Sequence, residues 1–187
     1  DYIIPKPLDT RVLLKVVPAV TTAAVETGVA RSSLPERTVY LQRLEAGLGP
    51  ERELMRKVIT RAQQSPGRIV LPEGKNPVII RAAHLAAKEG IARPLLLGDP
   101  AASHAIAESN HVSLDGIDLM DHHQNPHVAK FTDALYNLRR RKGWSLLETR
   151  SQLKNPYIFG AMLVREGLVD GQVNGIDQSY PNAIRPV

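Results

Sequence analysis

The apolar positions follow three successive patterns along the chain. From Arg11 to Thr27 they fall on nearly every side of a helix: Leu13, Leu14, Val16, Val17, Val20 and Val25, with Ala23 and Ala24. Asp9 or Thr10 suits the cap, and Gly28 supplies the stop. A helix this apolar needs cover on several faces, so a partner domain or a second subunit is expected to supply it. The stretch from Arg31 to Arg37 then mixes serine, proline and alternating charge, which marks a linker.

Next come two stripes at helical spacing. Tyr40, Leu41, Leu44 and Leu48 form one, and Leu54, Val58, Ile59 and Ala62 form the other. Gly49-Pro50 separates them, and Ser65-Pro66-Gly67 closes the second.

At Arg68 the period changes. Short apolar runs at Ile69–Leu71, Pro94–Leu97 and Ile117–Met120 alternate with helical segments, and a last run lies near Gln172–Val173. Such alternation predicts βαβ units and a parallel sheet of at least four strands. Helix signals fill the gaps. Val78 to Glu89 ends at Gly90, and Val128, Phe131, Leu135 and Leu138 form a stripe. Ser145-Leu146-Leu147-Glu148 reads as a capping box. Asn155-Pro156 caps a helix over Tyr157–Glu166 that stops at Gly167. The expected fold class is α/β, a parallel sheet flanked by helices and preceded by an N-terminal helical arm.

Composition narrows the chemistry. With 187 residues, 43% hydrophobic and 23% charged, the chain has material for a buried core. The absence of cysteine excludes disulfides, thiolate metal sites and cysteine nucleophiles. The net charge of +5 suits an anionic partner such as phosphate or a nucleotide. The run Arg139-Arg140-Arg141-Lys142 reads as a solvated helix end, and no nucleic-acid motif accompanies it. Val16 to Val25 is too short to span a membrane and contains Pro18, and no signal peptide is visible. The chain starts at Asp1 and ends at Arg185-Pro186-Val187, and both ends read as cuts from something longer.

Two places carry candidate ligand chemistry. Pro72-Glu73-Gly74 follows the first sheet strand, at the strand edge where open α/β folds bind ligands. Glu73 there is either a ligand group or an exposed turn glutamate. The second place joins Gly171 and Gly175 to the stretch from Ser179 to Pro186. The Ser179 hydroxyl, free backbone N–H groups and the Arg185 guanidinium suit a phosphate, and a capped loop with a surface arginine is the alternative. The only histidine cluster is His122-His123, with Asp121 before and His127 after. Neighbouring side chains point apart on a strand or helix, so no metal site is expected. No nucleophile elbow and no catalytic residue is assigned.

The segment Asp1-Tyr2-Ile3-Ile4-Pro5-Lys6-Pro7-Leu8-Asp9, with the apolar helix through Gly28-Val29-Ala30, resembles the end of the catalytic part of bacterial malic enzymes. From about Val39 onward the chain resembles the first half of a phosphotransacetylase domain. The residues that carry this are Leu71-Pro72-Glu73-Gly74, Pro94-Leu95-Leu96-Leu97-Gly98, Phe159-Gly160-Ala161-Met162-Leu163-Val164, Gly167-Leu168-Val169-Asp170-Gly171 and Ile184-Arg185-Pro186. The combination is that of the large hybrid malic enzymes. It implies residues 1–30 as the end of a nicotinamide-binding domain, 31–37 as a linker and 38–187 as the first part of a phosphotransacetylase-like domain.

The resemblance also implies a function: a regulatory and oligomerisation region, sensing acetyl-CoA, in a cytoplasmic homo-oligomeric enzyme. That parent enzyme would decarboxylate malate oxidatively with NADP and a Mg or Mn ion. Those cofactor sites are expected ahead of Asp1, and the transferase serine and aspartate beyond Val187, so this stretch alone is expected to be inactive. The alternative is a working phosphate acetyltransferase domain that moves acetyl between CoA and phosphate. Tyr180-Pro181-Asn182 stands where true transferases are rich in small residues and threonine, which speaks against that alternative. Glu73, Ser179 and Arg185 are the candidate contacts to acetyl-CoA or phosphate.

Overall fold

A computed structural model describes residues 10–33, 36–47 and 50–184. The chain divides into two compact units, residues 1–59 and 60–187, each described by itself.

The first unit is helical. Helix α1 (Thr10–Glu26) is followed by α2 (Arg37–Ala46) and most of α3 (Pro50–Gln64). The expected helix over Arg11–Thr27 is therefore present, displaced by one residue at each end. Pro18 lies inside it and is buried. Thr21 Oγ1 and the Tyr40 hydroxyl lie 3.2 Å apart, joining α1 to α2. Val16 and Val20, one helical turn apart, stay 49% and 62% exposed. Among the described residues no helix is long and apolar enough to cross a membrane.

The second unit is a parallel sheet with helices on both faces. Its strands are β1 (Gly67–Leu71), β2 (Ala92–Leu97), β3 (Asp118–Met120) and β4 (Gly171–Gln172). They lie in the order β3-β2-β1-β4, and every pairing is parallel. Each of the four expected strands is found. The last begins one residue early, and the Val173 N–H still donates to the Val70 carbonyl at 3.0 Å.

Side chains alternate across the sheet with the period of two that a pleated strand imposes. Register sets Val70 beside Leu95, and both join one core with Leu97, Phe131, Phe159 and Leu163. Leu96 points the other way, into a core with Ile80, Ala83 and Ala107. The first core is covered by α6 (His127–Arg139), α7 (Leu146–Gln152) and α8 (Pro156–Arg165). The second is covered by α4 (Pro77–Lys88) and α5 (Pro100–Ser109). Strands covered on both faces must be apolar throughout, which is why Leu95-Leu96-Leu97 is an unbroken run.

The helix ends follow from local chemistry. Asn76, Asp99, Ser145 and Asn155 each cap a helix by accepting a backbone N–H on their side chains, and proline opens the three helices that follow Asn76, Asp99 and Asn155. Gly167 takes a left-handed φ of 69° just past α8, which lets the chain turn back into β4. Lys130 on α6 and Glu166 at the end of α8 form an ion pair at 2.7 Å.

Candidate functional site

Parallel strands end at one edge, and three of those ends meet here. The turn Pro72-Glu73-Gly74 leaves β1, Gly98 leaves β2 and His122 follows β3. The N-terminus of α8 and the loop after β4 complete the rim. Together they line an open cavity of about 540 Å³, bordered among others by Glu73, Lys75, His122, Lys154, Tyr157 and Asp177. A second cavity, of about 490 Å³, shares Asn155, Tyr157 and Gln178 with the first. A third, of about 770 Å³, shares Leu135, Arg139, Lys142 and Ile158 with the second and adds Arg165. The three form a series that starts at the strand edge and ends between α6 and α8 under a basic rim.

Glu73 is the hub of the strand edge. It is 7% exposed, and its Oε1 accepts from the Tyr157 hydroxyl at 3.0 Å, the Gly175 N–H at 3.0 Å and the Asp177 N–H at 3.1 Å. Its Oε2 accepts from the Gly175 N–H at 3.2 Å. Asp177 in turn accepts from the Asn76 side-chain amide at 2.6 Å, and Asn76 caps α4. One carboxylate thus pins the loop after β4 to β1 and to α8. Three donors offset the cost of burying it. Burial, reinforced by the hydrogen bond to Glu73 and its charge, holds the Tyr157 phenol well above its ordinary pKa. The phenol stays protonated and keeps donating.

The three sequence candidates have different standings in the structure. Glu73 lines the strand-edge cavity, and its oxygens face the loop. Ser179 is exposed and follows Gln178, which lines the same cavity. The Ser179 carbonyl accepts from the N–H groups of Asn182 and Ala183 at 2.9 and 3.0 Å, which starts the short helix α9 (Tyr180–Ile184). Arg185 lies outside the described residues.

The histidine pair departs from expectation. His122 and His123 sit in a bend rather than on a strand or helix, so their rings do not point apart. Their centroids are 4.0 Å apart at a tilt of 36°, and the His122 ring also lies 6.0 Å from Phe159. Burial, then the charge of His123, hold the His122 pKa below its ordinary 6.5. A depressed histidine contributes stability that is intact above that ordinary value and is lost as the pH falls through the lowered one. Urea midpoints should therefore fall on acidification below about pH 6.5, and fall less steeply in His122→Phe. Parallel pH dependence in the two proteins would exclude this role.

Among the described residues no group of three or more His, Asp or Glu is placed to hold a metal ion. The Mg or Mn ion that the resemblance implies for a parent enzyme therefore has no fitting donor set there.

Reasoning from the sequence missed Tyr157, Asp177 and Asn76 as parts of this site. Asn155-Pro156 located the helix that carries Tyr157, yet nothing in one dimension shows where the phenol points. Asn76-Pro77 is a cap signal whose second use, the amide bond to Asp177, appears only in three dimensions.

The sequence profile described as phosphate acetyl/butaryl transferase matches residues 53–187. An NADP-dependent malic enzyme of Rhizobium meliloti is 32% identical over 190 residues, covering 100% of this chain and 25% of that protein. The NADP-dependent malic enzyme of Escherichia coli is 28% identical, covering 96% of this chain and 24% of that protein. A phosphate acetyltransferase of Acetivibrio thermocellus is 32% identical over 132 residues, covering 71% of this chain and 39% of that protein. Among solved structures, a phosphotransacetylase from Streptococcus pyogenes superimposes with a TM-score of 0.69 at 25% identity, over 74% of this chain and 42% of that one. The chain therefore spans about a quarter of the malic enzymes' length and less than half of the transferases'. Its second unit has the transferases' fold, its likeness to malic enzymes of the hybrid type runs through the whole chain, and by the match over residues 53–187 it belongs to the phosphate acetyl/butaryl transferase family.

Proposed function

We propose that this chain is the junction and first transferase-like half of a hybrid malic enzyme, and that it serves there as a regulatory and assembly region that binds acetyl-CoA. One observation carries the reading. The malic-enzyme likeness covers 100% of the chain, whereas the phosphate acetyltransferase likeness covers 71% of it. In this reading the strand-edge cavity takes the acyl and phosphate end of the ligand, next to the loop that Glu73 holds and that runs on to Ser179, and Arg185 is proposed as a charged contact on its chemistry alone. The basic rim of Arg139, Lys142 and Arg165 offers charge to the ligand's further phosphates. The exposed Val16 and Val20 on α1 support self-association. The parent reaction would be oxidative decarboxylation of malate with NADP and a divalent ion, in the cytoplasm of the cell. Cofactor binding and catalysis would rest on residues ahead of Asp1.

The test is titration of acetyl-CoA against malate-dependent NADP reduction by the longer protein that contains this chain. A change in rate that saturates with acetyl-CoA is the expected result, and a flat response would reject the effector role. Arg185→Ala should weaken acetyl-CoA binding roughly 10- to 150-fold, the loss of one charge-assisted hydrogen bond at about 1.5–3 kcal/mol. Calorimetry showing parental affinity in a folded variant would remove Arg185 from the site. A second reading, a working acetyltransferase domain, draws support from the 39% identity to the phosphate acetyltransferase of Haemophilus influenzae over 128 residues. Acetyl phosphate formation by the longer protein would decide for it.

A further inference from the structure

The loop after β4 joins two residue types that react with each other. Asn174-Gly175 is the only asparagine–glycine pair in the chain. Asn76, Asn125 and Asn155 precede proline, which has no backbone N–H, and the remaining asparagines precede residues with side chains. The reaction is internal. The Gly175 nitrogen, deprotonated by solvent hydroxide, attacks the side-chain carbonyl carbon of Asn174. A nitrogen–carbon bond forms, the bond from that carbon to the amide nitrogen breaks, and the amide takes a proton from water and leaves as ammonia. Water then adds to either carbonyl of the succinimide ring and opens it to aspartate or isoaspartate. Glycine favours the attack because no side chain shields its nitrogen. The pair lies in irregular backbone, with Asn174 half-buried and Gly175 exposed, so solvent reaches it.

Both reactants are held. The Gly175 N–H donates to the two oxygens of Glu73 at 3.0 and 3.2 Å. Glu73 is 7% exposed, so its charge acts through a poorly screening medium. That charge keeps the proton on the Gly175 nitrogen, because an amide anion would face a like charge. A carboxylate is also far too weak a base to take the proton itself. The Asp177 N–H, on the same carboxylate at 3.1 Å, anchors the loop a second time. On the other side, the Asn174 side-chain amide donates to the Ala183 carbonyl at 3.3 Å, which ties it to α9.

We propose that Asn174-Gly175 is a self-modification site that Glu73 holds unreacted, and that its reaction is a one-way release of the strand-edge loop. Isoaspartate routes the main chain through the former side chain. It therefore adds one methylene between Cα of residue 174 and the nitrogen of residue 175. Gly175 and Asp177 then lose their common register on the Glu73 carboxylate. Either product also puts a new negative charge one residue from the N–H that Glu73 accepts, and like charges repel. The latch prevents the reaction, and the reaction destroys the latch. Nothing in this chemistry requires acetyl-CoA.

The experiment follows residue 174 by tandem mass spectrometry while this chain stands at pH 7.5, folded and in urea. The folded chain should react about tenfold or more slowly than the unfolded one, as for a loop that is open less than a tenth of the time. Glu73→Ala, with its fold checked by circular dichroism, should bring the folded rate to within about threefold of the unfolded rate. Tyr157→Phe removes a different donor to the same carboxylate and leaves Gly175 on it, so it should keep the parental rate. The parent supplies a reading that needs no variant: the slowing of the reaction should match the slowing of amide exchange at Gly175, since one bond must open for both. Equal rates in the folded and unfolded parent overturn the proposal. So does a folded Glu73→Ala that reacts at the parental rate, or a Tyr157→Phe that accelerates as much as Glu73→Ala. Parental protection of the Gly175 and Asp177 amides in the isoaspartate fraction, separated by ion exchange, would overturn the release.

Discussion

Replacing Glu73 with alanine should lower the stability of the second unit by about 3 kcal/mol and free the loop after β4. The substitution removes the acceptor of three donors at once. They do not suffer equally. Gly175 and Asp177 are exposed, so water can take up their N–H groups. Tyr157 is 7% exposed, and its hydroxyl would lose the acceptor it has in the parent. Most of the cost therefore comes from one stranded phenol and one emptied cavity. Glu73→Gln keeps an acceptor oxygen but turns an amide toward the Gly175 N–H, so it should fall between parent and alanine. Urea denaturation measures the loss, and amide exchange at Gly175 and Asp177 measures the freed loop. Unchanged midpoints with unchanged protection at those two amides would show that the carboxylate does not hold the loop.

Gly74→Ala should be comparably damaging for a different reason. A Cβ placed there would lie 2.5 Å from the Leu97 carbonyl oxygen and 3.2 Å from both the Leu97 carbonyl carbon and Leu96 Cβ. Those atoms belong to the central strand β2, whose Leu96 and Leu97 are each 1% exposed. Backbone in that position does not give way as a side-chain tip would. On its other side, the Gly74 carbonyl accepts from the buried Ser103 hydroxyl at 3.1 Å, so a shift of the turn would break that bond. Overpacking of this kind costs about 3 kcal/mol, at the upper end of its usual range. In a domain of this size the melting temperature should drop by roughly 10 °C. A melting temperature within a degree of the parent's would mean that the turn can move away from β2.

These two neighbours show why Leu71-Pro72-Glu73-Gly74 is readable only in part. Its place after a buried strand marks it as a strand-edge turn, which is where the structure puts it. Its glycine has an ordinary reading as a turn residue, yet its φ lies outside the left-handed region. The demand for a bare Cα comes from β2, more than twenty residues away in the chain. The glutamate was a plausible ligand group by position. Its acceptors are taken by donors roughly a hundred residues further along the chain, and no local pattern announces them.

What the sequence by itself determined about this protein is the set of elements and their order. Hydrophobic period separates the helical first unit from the βαβ second one, because a covered strand must be apolar on both faces and a helix on one stripe. Caps such as Asn155-Pro156 and Ser145 act within four residues, so they are legible locally and the structure has them. What only the tertiary structure decided is which distant groups meet at the strand edge. Strand register places β4 beside β1, which brings Gly175 and Asp177 onto Glu73. The bend after β3 sets the His123 ring against that of His122, and one His122 nitrogen has no hydrogen-bond partner among the described residues. Secondary structure is set by near neighbours in the chain. A binding site is set by the close packing of elements far apart in it, and a few tenths of an ångström there separate a hydrogen bond from a bare lone pair.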